Sequence, residues 1–166
     1  MTYTVSFAKL PETLEEMKQL AEANLQKPED TAALCVAALN VYPKNREESL
    51  NMLDYLRGPR PLSVMEKQFI ADRFMDGKDY IPRSYFGGST VENNYTPAVP
   101  YTVTMSDSQA PLSDPENYRI LDLKSAGADS ARTVTLRIKP STGQWFLWEQ
   151  TLLAGIREPR EKDAWA

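Results

Sequence analysis

No histidine occurs anywhere in the 166 residues, and that absence removes more chemistry than any motif in the chain adds. A Ser-His-Asp or Cys-His nucleophile cannot be assembled, and neither can a histidine-held zinc or haem. Any reaction would have to run on carboxylates, lysine, tyrosine or a hard cation held by oxygen ligands. Cysteine is almost as scarce. Cys35 stands alone, so no intrachain disulfide can form. Its setting, "TAALCVAAL", is that of a buried and inert thiol rather than a nucleophile. The run of about 20 apolar residues that a spanning helix needs is missing. The opening "MTYTVSFAKL" also lacks the charged and then apolar regions of a secretory leader. These absences lead to the expectation of a cytoplasmic protein that does not enter a membrane.

An excess of positive charge is lacking too. Lys and Arg number 19 against 23 Asp and Glu, for a net charge of -4 and an isoelectric point near 5.0. The two signs are mixed along the whole chain, so duplex nucleic acid is not an expected partner. What is present is ordinary for a folded protein, 42% hydrophobic and 25% charged. This composition predicts one globular domain over 1–166 with a core of its own.

The first half reads as helices. In "LPETLEEMKQLAEANL", Leu14, Met17, Ala21 and Leu25 recur on one face, with Pro11 in the first turn. "TAALCVAALNVY" is apolar nearly all round, as a central buried helix would be. Asn45 with Glu48, and Ser63 with Glu66, have the spacing of N-terminal caps for "REESLNMLDYLR" and "VMEKQFIADRFMDG". Gly58 and Gly77 are placed to end those two helices. From residue 101 the period changes from 3.6 to 2. "YTVTM", "YRILDLKS", "RTVTLRIK" and "QWFLWEQTLL" read as an antiparallel meander. The predicted fold class is therefore α+β: an N-terminal layer of four helices (about 11–77) packed on a C-terminal antiparallel β-meander of about four strands (about 101–153). An irregular crossover (78–100) joins them, and a tail (154–166) follows.

The last hairpin permits a sharper reading. With "PSTG" as a four-residue loop, Lys139 faces Gln144, Ile138 faces Trp145 and Leu136 faces Leu147. Phe146 and Trp148 then share the opposite face with Arg137 and Thr135. That second face must be covered by "AGADSA", by the N-terminal "TYTVSF" or by the "DAWA" tail, or else it is an exposed aromatic binding surface.

The crossover "DYIPRSYFGGSTVENNYTPAVPY" is the other segment with binding potential, because long irregular connections are usually functional or disordered. Arg83 offers a guanidinium to an anion, Tyr85 and Tyr95 offer flat walls, and Asn93 and Asn94 offer two-way hydrogen bonding. A plain structural role, wrapping the core on the way to the sheet, is the competing reading. Elsewhere, Asp72, Asp76 and Asp79 crowd a helix end without matching a calcium loop, and Glu149 ends an aromatic strand. Arg57 and Arg60 flank Gly58 and Pro59. They would either join Arg73 and Arg83 around an anion or pair with the acidic first helix.

The segments "RGPRPLS", "EKQFIADRFMDGKDYIPRSYF", "ENNYTP", "TLRIKPSTGQWFLWE" and "GIREP" resemble an uncharacterised bacterial domain-of-unknown-function family, found mainly in gut Firmicutes. The resemblance covers nearly the whole chain. It implies a stand-alone bacterial domain and carries no activity, so no catalytic residue comes with it.

Taken together, these readings predict a non-enzymatic binding or protein-interaction domain. Its site would use Arg83, Tyr85, Asn93, Asn94, Tyr95, Phe146 and Trp148, without cofactor or metal. The partner would be a protein or a small anionic ligand, and the composition is compatible with a homodimer. The alternatives are a carboxylate-dependent, histidine-free hydrolase or transferase built on Asp76, Asp79 or Glu149, and a weak single-stranded nucleic-acid binder that stacks bases on Trp and Tyr.

Overall fold

Two periodicities in one chain, 3.6 first and 2 afterwards, fold into a helical layer laid on a twisted sheet. A computed structural model describes residues 1–166. It contains four α-helices and one five-stranded antiparallel sheet in the order β1-β2-β3-β4-β5. The helices are α1 (Leu14–Lys18), α2 (Pro28–Val41), α3 (Arg46–Arg57) and α4 (Val64–Arg73). The strands are β1 (Thr2–Phe7), β2 (Tyr101–Asp107), β3 (Tyr118–Leu123), β4 (Arg132–Lys139) and β5 (Gln144–Gln150). The α+β class thus holds, with one strand more than expected. No helix is long and apolar enough to cross a membrane.

β1 is the missing strand. "TYTVSF" does not cover the aromatic hairpin face; it pairs with β2 from Thr2↔Ser106 to Phe7↔Tyr101. Its Val5 and Phe7 are buried, while Thr4 and Ser6 are exposed, so the segment alternates as a half-buried edge strand does. A six-residue strand ahead of a run of helices leaves no meander pattern in sequence. Its partner lies about a hundred residues away.

α2 is the centre of the layer. Residues Thr31 to Leu39 are at most 1% exposed, which is why its sequence shows no polar face. Pro28 opens it at N1, where a missing N–H costs nothing. The other predicted caps are also in place. Asn45 Oδ1 accepts from Glu48 N at 3.2 Å, and Ser63 and Glu66 form a reciprocal capping box. The first helix is shorter than its pattern suggests. α1 stops at Lys18 and a 3-10 turn (Ala21–Asn24) replaces the rest. The break changes the phase so that Ala23 and Leu25 are buried and Ala21 is exposed.

The inner face of the sheet, with Val103, Met105, Leu121, Leu123, Val134, Leu136 and Leu147, joins α2 in a buried cluster of 33 residues. In the last hairpin, Lys139↔Gln144, Ile138↔Trp145 and Leu136↔Leu147 pair as the four-residue loop requires. A bulge between Thr135 and Leu136 then shifts the register, so Thr135 faces Glu149. β5 is an edge strand, and the chain covers its outward backbone groups. Trp145 N donates to Leu25 O at 2.7 Å, Thr31 Oγ1 donates to Trp145 O at 2.6 Å, and Arg60 Nη2 donates to Trp148 O. These contacts cap both ends of the β5 edge.

Candidate functional site

The crossover is ordered and largely internal. Tyr80, Ile81, Tyr85, Phe86 and Tyr95 all belong to the core cluster. Tyr80 stacks on Tyr95 with centroids 5.8 Å apart, and Phe86 bridges Val103 beside β2. Tyr85 and Tyr95 are 3% and 0% exposed. Their hydroxyls donate to the carbonyls of Leu152 and Arg157. Both side chains are spent on packing and on these two bonds.

The polar residues proposed from this segment are likewise committed to the chain itself. Arg83 donates from Nε to Tyr95 O at 3.1 Å and from Nη2 to Asn94 O at 3.3 Å. It thereby pins two residues held at positive φ, Asn94 at 59° and Tyr95 at 52°. Asn93 Oδ1 accepts from the backbone N–H of Thr90 and Thr96, and its Nδ2 donates to the carbonyls of Gly88 and Thr96. Its hydrogen-bonding capacity is filled. Asn94 Oδ1 accepts from Glu161 N at 2.8 Å. No residue of the segment lines the clefts beside Phe146 and Trp148 on the outer face of the last hairpin.

On that outer face the structure builds something else. Phe146 lies under Gly58, so close that a Cβ there would fall 2.5 Å from its ring. The cover is therefore the turn after α3, and not "AGADSA", "TYTVSF" or "DAWA". Gly58 permits it because its φ is +60° and it has no side chain. Beyond Gly58, Arg60 lays its guanidinium 3.7 Å from the Trp148 ring centroid. From β4, Arg137 stands 4.9 Å from the same ring and 5.4 Å from Tyr118. Tyr118 meets Trp148 edge-on at 5.5 Å. Trp148 is thus a half-buried platform carrying two guanidinium groups.

Two clefts meet at this platform. One, of about 370 Å³, is lined by Arg60, Arg137, Lys139, Pro140, Phe146 and Trp148 among others. The second, of about 320 Å³, runs between α4 and the end of β5, past Leu62, Met65, Phe69, Ile70, Trp148 and Glu149. At its floor the buried Arg57 places Nη2 2.8 Å from Glu66 Oε2. This resolves the expectation for the "RGPR" arginines. Arg57 pairs with α4 rather than with the first helix, and Arg60 turns outward over Trp148. Hydrogen bonds from Ser63 and the charges of Arg57 and Arg60 outweigh burial and hold the Glu66 carboxyl below its usual range.

The candidate carboxylates do not converge. Asp76 is exposed at positive φ. Asp79 lies 3.9 Å from Lys162 and lines a different cleft, with Arg83, Lys9 and Tyr101. Glu149 is exposed beside Trp148. No three of the Cys, Asp and Glu side chains gather as metal ligands would. Cys35 is wholly buried, and burial pushes its thiol up to about 12, which removes it from thiolate chemistry at neutral pH.

Sequence reasoning identified Phe146, Trp148 and the face they share with Arg137, but not the roles of Lys139, Met65 and Phe69. The available signal was the apolar surplus of "VMEKQFIADRFM" on a helix with only one face to bury. Residues 9–160 match a family model described as a domain of unknown function (DUF6935). No curated protein and no solved structure matches the chain.

Proposed function

The chain belongs to the DUF6935 family, and for it we propose a non-enzymatic binding domain that holds an anionic group at the Trp148 platform. The observation that carries this reading is the pair of guanidinium groups over one indole. Neither Arg60, Arg137 nor Lys139 takes part in an ion pair, in a chain whose net charge is negative. Stacking holds each guanidinium by its face and leaves its N–H edge for a carboxylate or phosphate. Arg60 also donates to Trp148 O, which fixes the fork before any ligand arrives and lowers the ordering cost of binding. The cleft is apolar on the Phe146 and Pro140 side and cationic at the rim, the usual division of labour in a ligand site.

Pyrophosphate titrated at low salt tests this reading through the fluorescence of Trp148. A saturable change is expected that is absent in Trp148→Phe and at least about tenfold weaker in the Arg60→Gln/Arg137→Gln variant, a loss of about 1.4 kcal/mol. Both arginines are exposed, so the melting temperature should barely move. A flat titration, or equal binding by the double variant, would overturn the assignment.

A further inference from the structure

α4 carries its apolar residues on the wrong side for a helix that only supports a core. It is anchored by Glu66, Ile70 and Phe74. Glu66 pairs with Arg57, Ile70 is 3% exposed, and Phe74 stacks on Tyr42 at 4.6 Å. Away from that line, Val64 is 84% exposed, Met65 83% and Phe69 47%, and Met75 just past the helix is 56% exposed. These are four of the seven large apolar side chains exposed in the whole molecule. Scattered exposure of this kind needs no explanation, but concentration on one short helix beside a cleft does.

The cleft between α4 and β5 shares Trp148 with the cationic cleft. Together their walls hold four cations, Arg57, Arg60, Arg137 and Lys139, against two carboxylates, Glu66 and Glu149. One of the cations, Arg57, is already paired with Glu66. An occupant must therefore offer apolar side chains to Met65 and Phe69 and negative charge to Arg60 and Arg137 at the same time. We propose that this composite groove docks a short segment of another protein in which acidic residues adjoin apolar anchors. Resting on the anion reading above, this names what carries the anion. Methionine side chains adapt to varied apolar knobs, and an apolar groove with a charged rim is how amphipathic segments are received. The charge at the rim sets orientation and selects against basic segments.

A random 16-residue peptide display library panned on the intact chain provides the test. Enriched sequences should combine Asp or Glu with Leu, Phe or Trp. Synthetic copies of them should bind about tenfold more weakly to Met65→Ser/Phe69→Ser, and also to Arg60→Gln/Arg137→Gln. The Met65 and Phe69 positions are exposed, and circular dichroism melts of each variant establish that it is folded. The proposal is overturned by no enrichment, by enriched sequences that are basic or lack apolar anchors, or by affinities indifferent to the Met65 and Phe69 changes. Preferential capture of oligothymidylate over any peptide would overturn it too, as would a concentration-dependent dimer, seen by sedimentation velocity, that those changes abolish. If the peptides fail while pyrophosphate still binds through Arg60 and Arg137, the anion site stands and only its protein-borne ligand is refuted.

Discussion

Asp30 shows how a single position can set against stability what its element needs. It stands in the first turn of α2, directly after Pro28 and Glu29, where the helix dipole favours a negative charge. Burial, with the neighbouring Glu29 and Glu22 carboxylates, nevertheless pushes its carboxyl up to about 6, against a small opposing effect of Lys27. The folded state therefore holds that proton more tightly than the unfolded chain does. The resulting contribution to stability is present below the ordinary value near 3.8 and disappears as the pH rises through about 6. Asp30→Asn should thus be more stable than the parent at pH 7 and no different at pH 4. Because the side chain is partly exposed and faces the dipole, the gain should be only about 1 kcal/mol. Urea midpoints at the two pH values decide it; equal gains at both would show that charge is not the cause. Trp148 is the opposite case at this scale. Its type and the face it shares with Arg137 were legible in sequence, but Arg60, which stacks on it, comes from the turn after α3.

Among the elements, the α3–α4 turn does the most to shape the site. Residues "RGPRP" close α3, cover Phe146 and deliver Arg60 to Trp148, while Asp54 Oδ1 accepts from Leu62 N at 2.8 Å to brace the exit. Gly58 is the residue that permits all three. Alanine there meets a left-handed φ and the Phe146 ring together, so Gly58→Ala should cost about 2–4 kcal/mol. The same change should lower pyrophosphate affinity, because a displaced turn carries Arg60 away from the indole. Chemical denaturation alongside the fluorescence titration checks both; full stability with intact binding would mean that the turn does not depend on this contact. The stop at Gly58 and the caps at Asn45 and Ser63 could be read in advance, since each acts over about four residues of chain. The direction in which the turn then runs could not, because that depends on where β5 lies.

For the molecule as a whole, the crossover is a packed layer. Residues 80–95 place four aromatics in the core, and the segment is closed by polar ties from Arg83, Asn93 and Asn94 to backbone groups. Tyr85→Ala should therefore destabilise the protein by about 3–5 kcal/mol, as truncation of a buried aromatic does. Pyrophosphate binding at Trp148 should survive at temperatures where the variant remains folded. A thermal melt little changed by this substitution would contradict the burial seen here.

The sequence by itself determined the class of the fold, the helix caps, the apolar central helix and the register of the last hairpin as far as the bulge between Thr135 and Leu136. Each of these is local: it follows from a period of 3.6 or 2, from a side chain reaching three residues on, or from a loop of set length. It also determined the exclusions, since missing histidines and a single cysteine bar certain chemistries whatever the fold. Only the tertiary structure decided that β1 completes the sheet, that the crossover aromatics turn inward, and that Arg60 and Arg137 meet over Trp148. Those outcomes depend on which surfaces lose water against which others. Tyr85 and Trp148 are both large aromatics in segments rich in aromatic residues. One is buried in the core with its hydroxyl on Leu152 O, and the other is left half open, because the α3 turn covers Phe146 with backbone but reaches Trp148 only with the exposed Arg60 side chain.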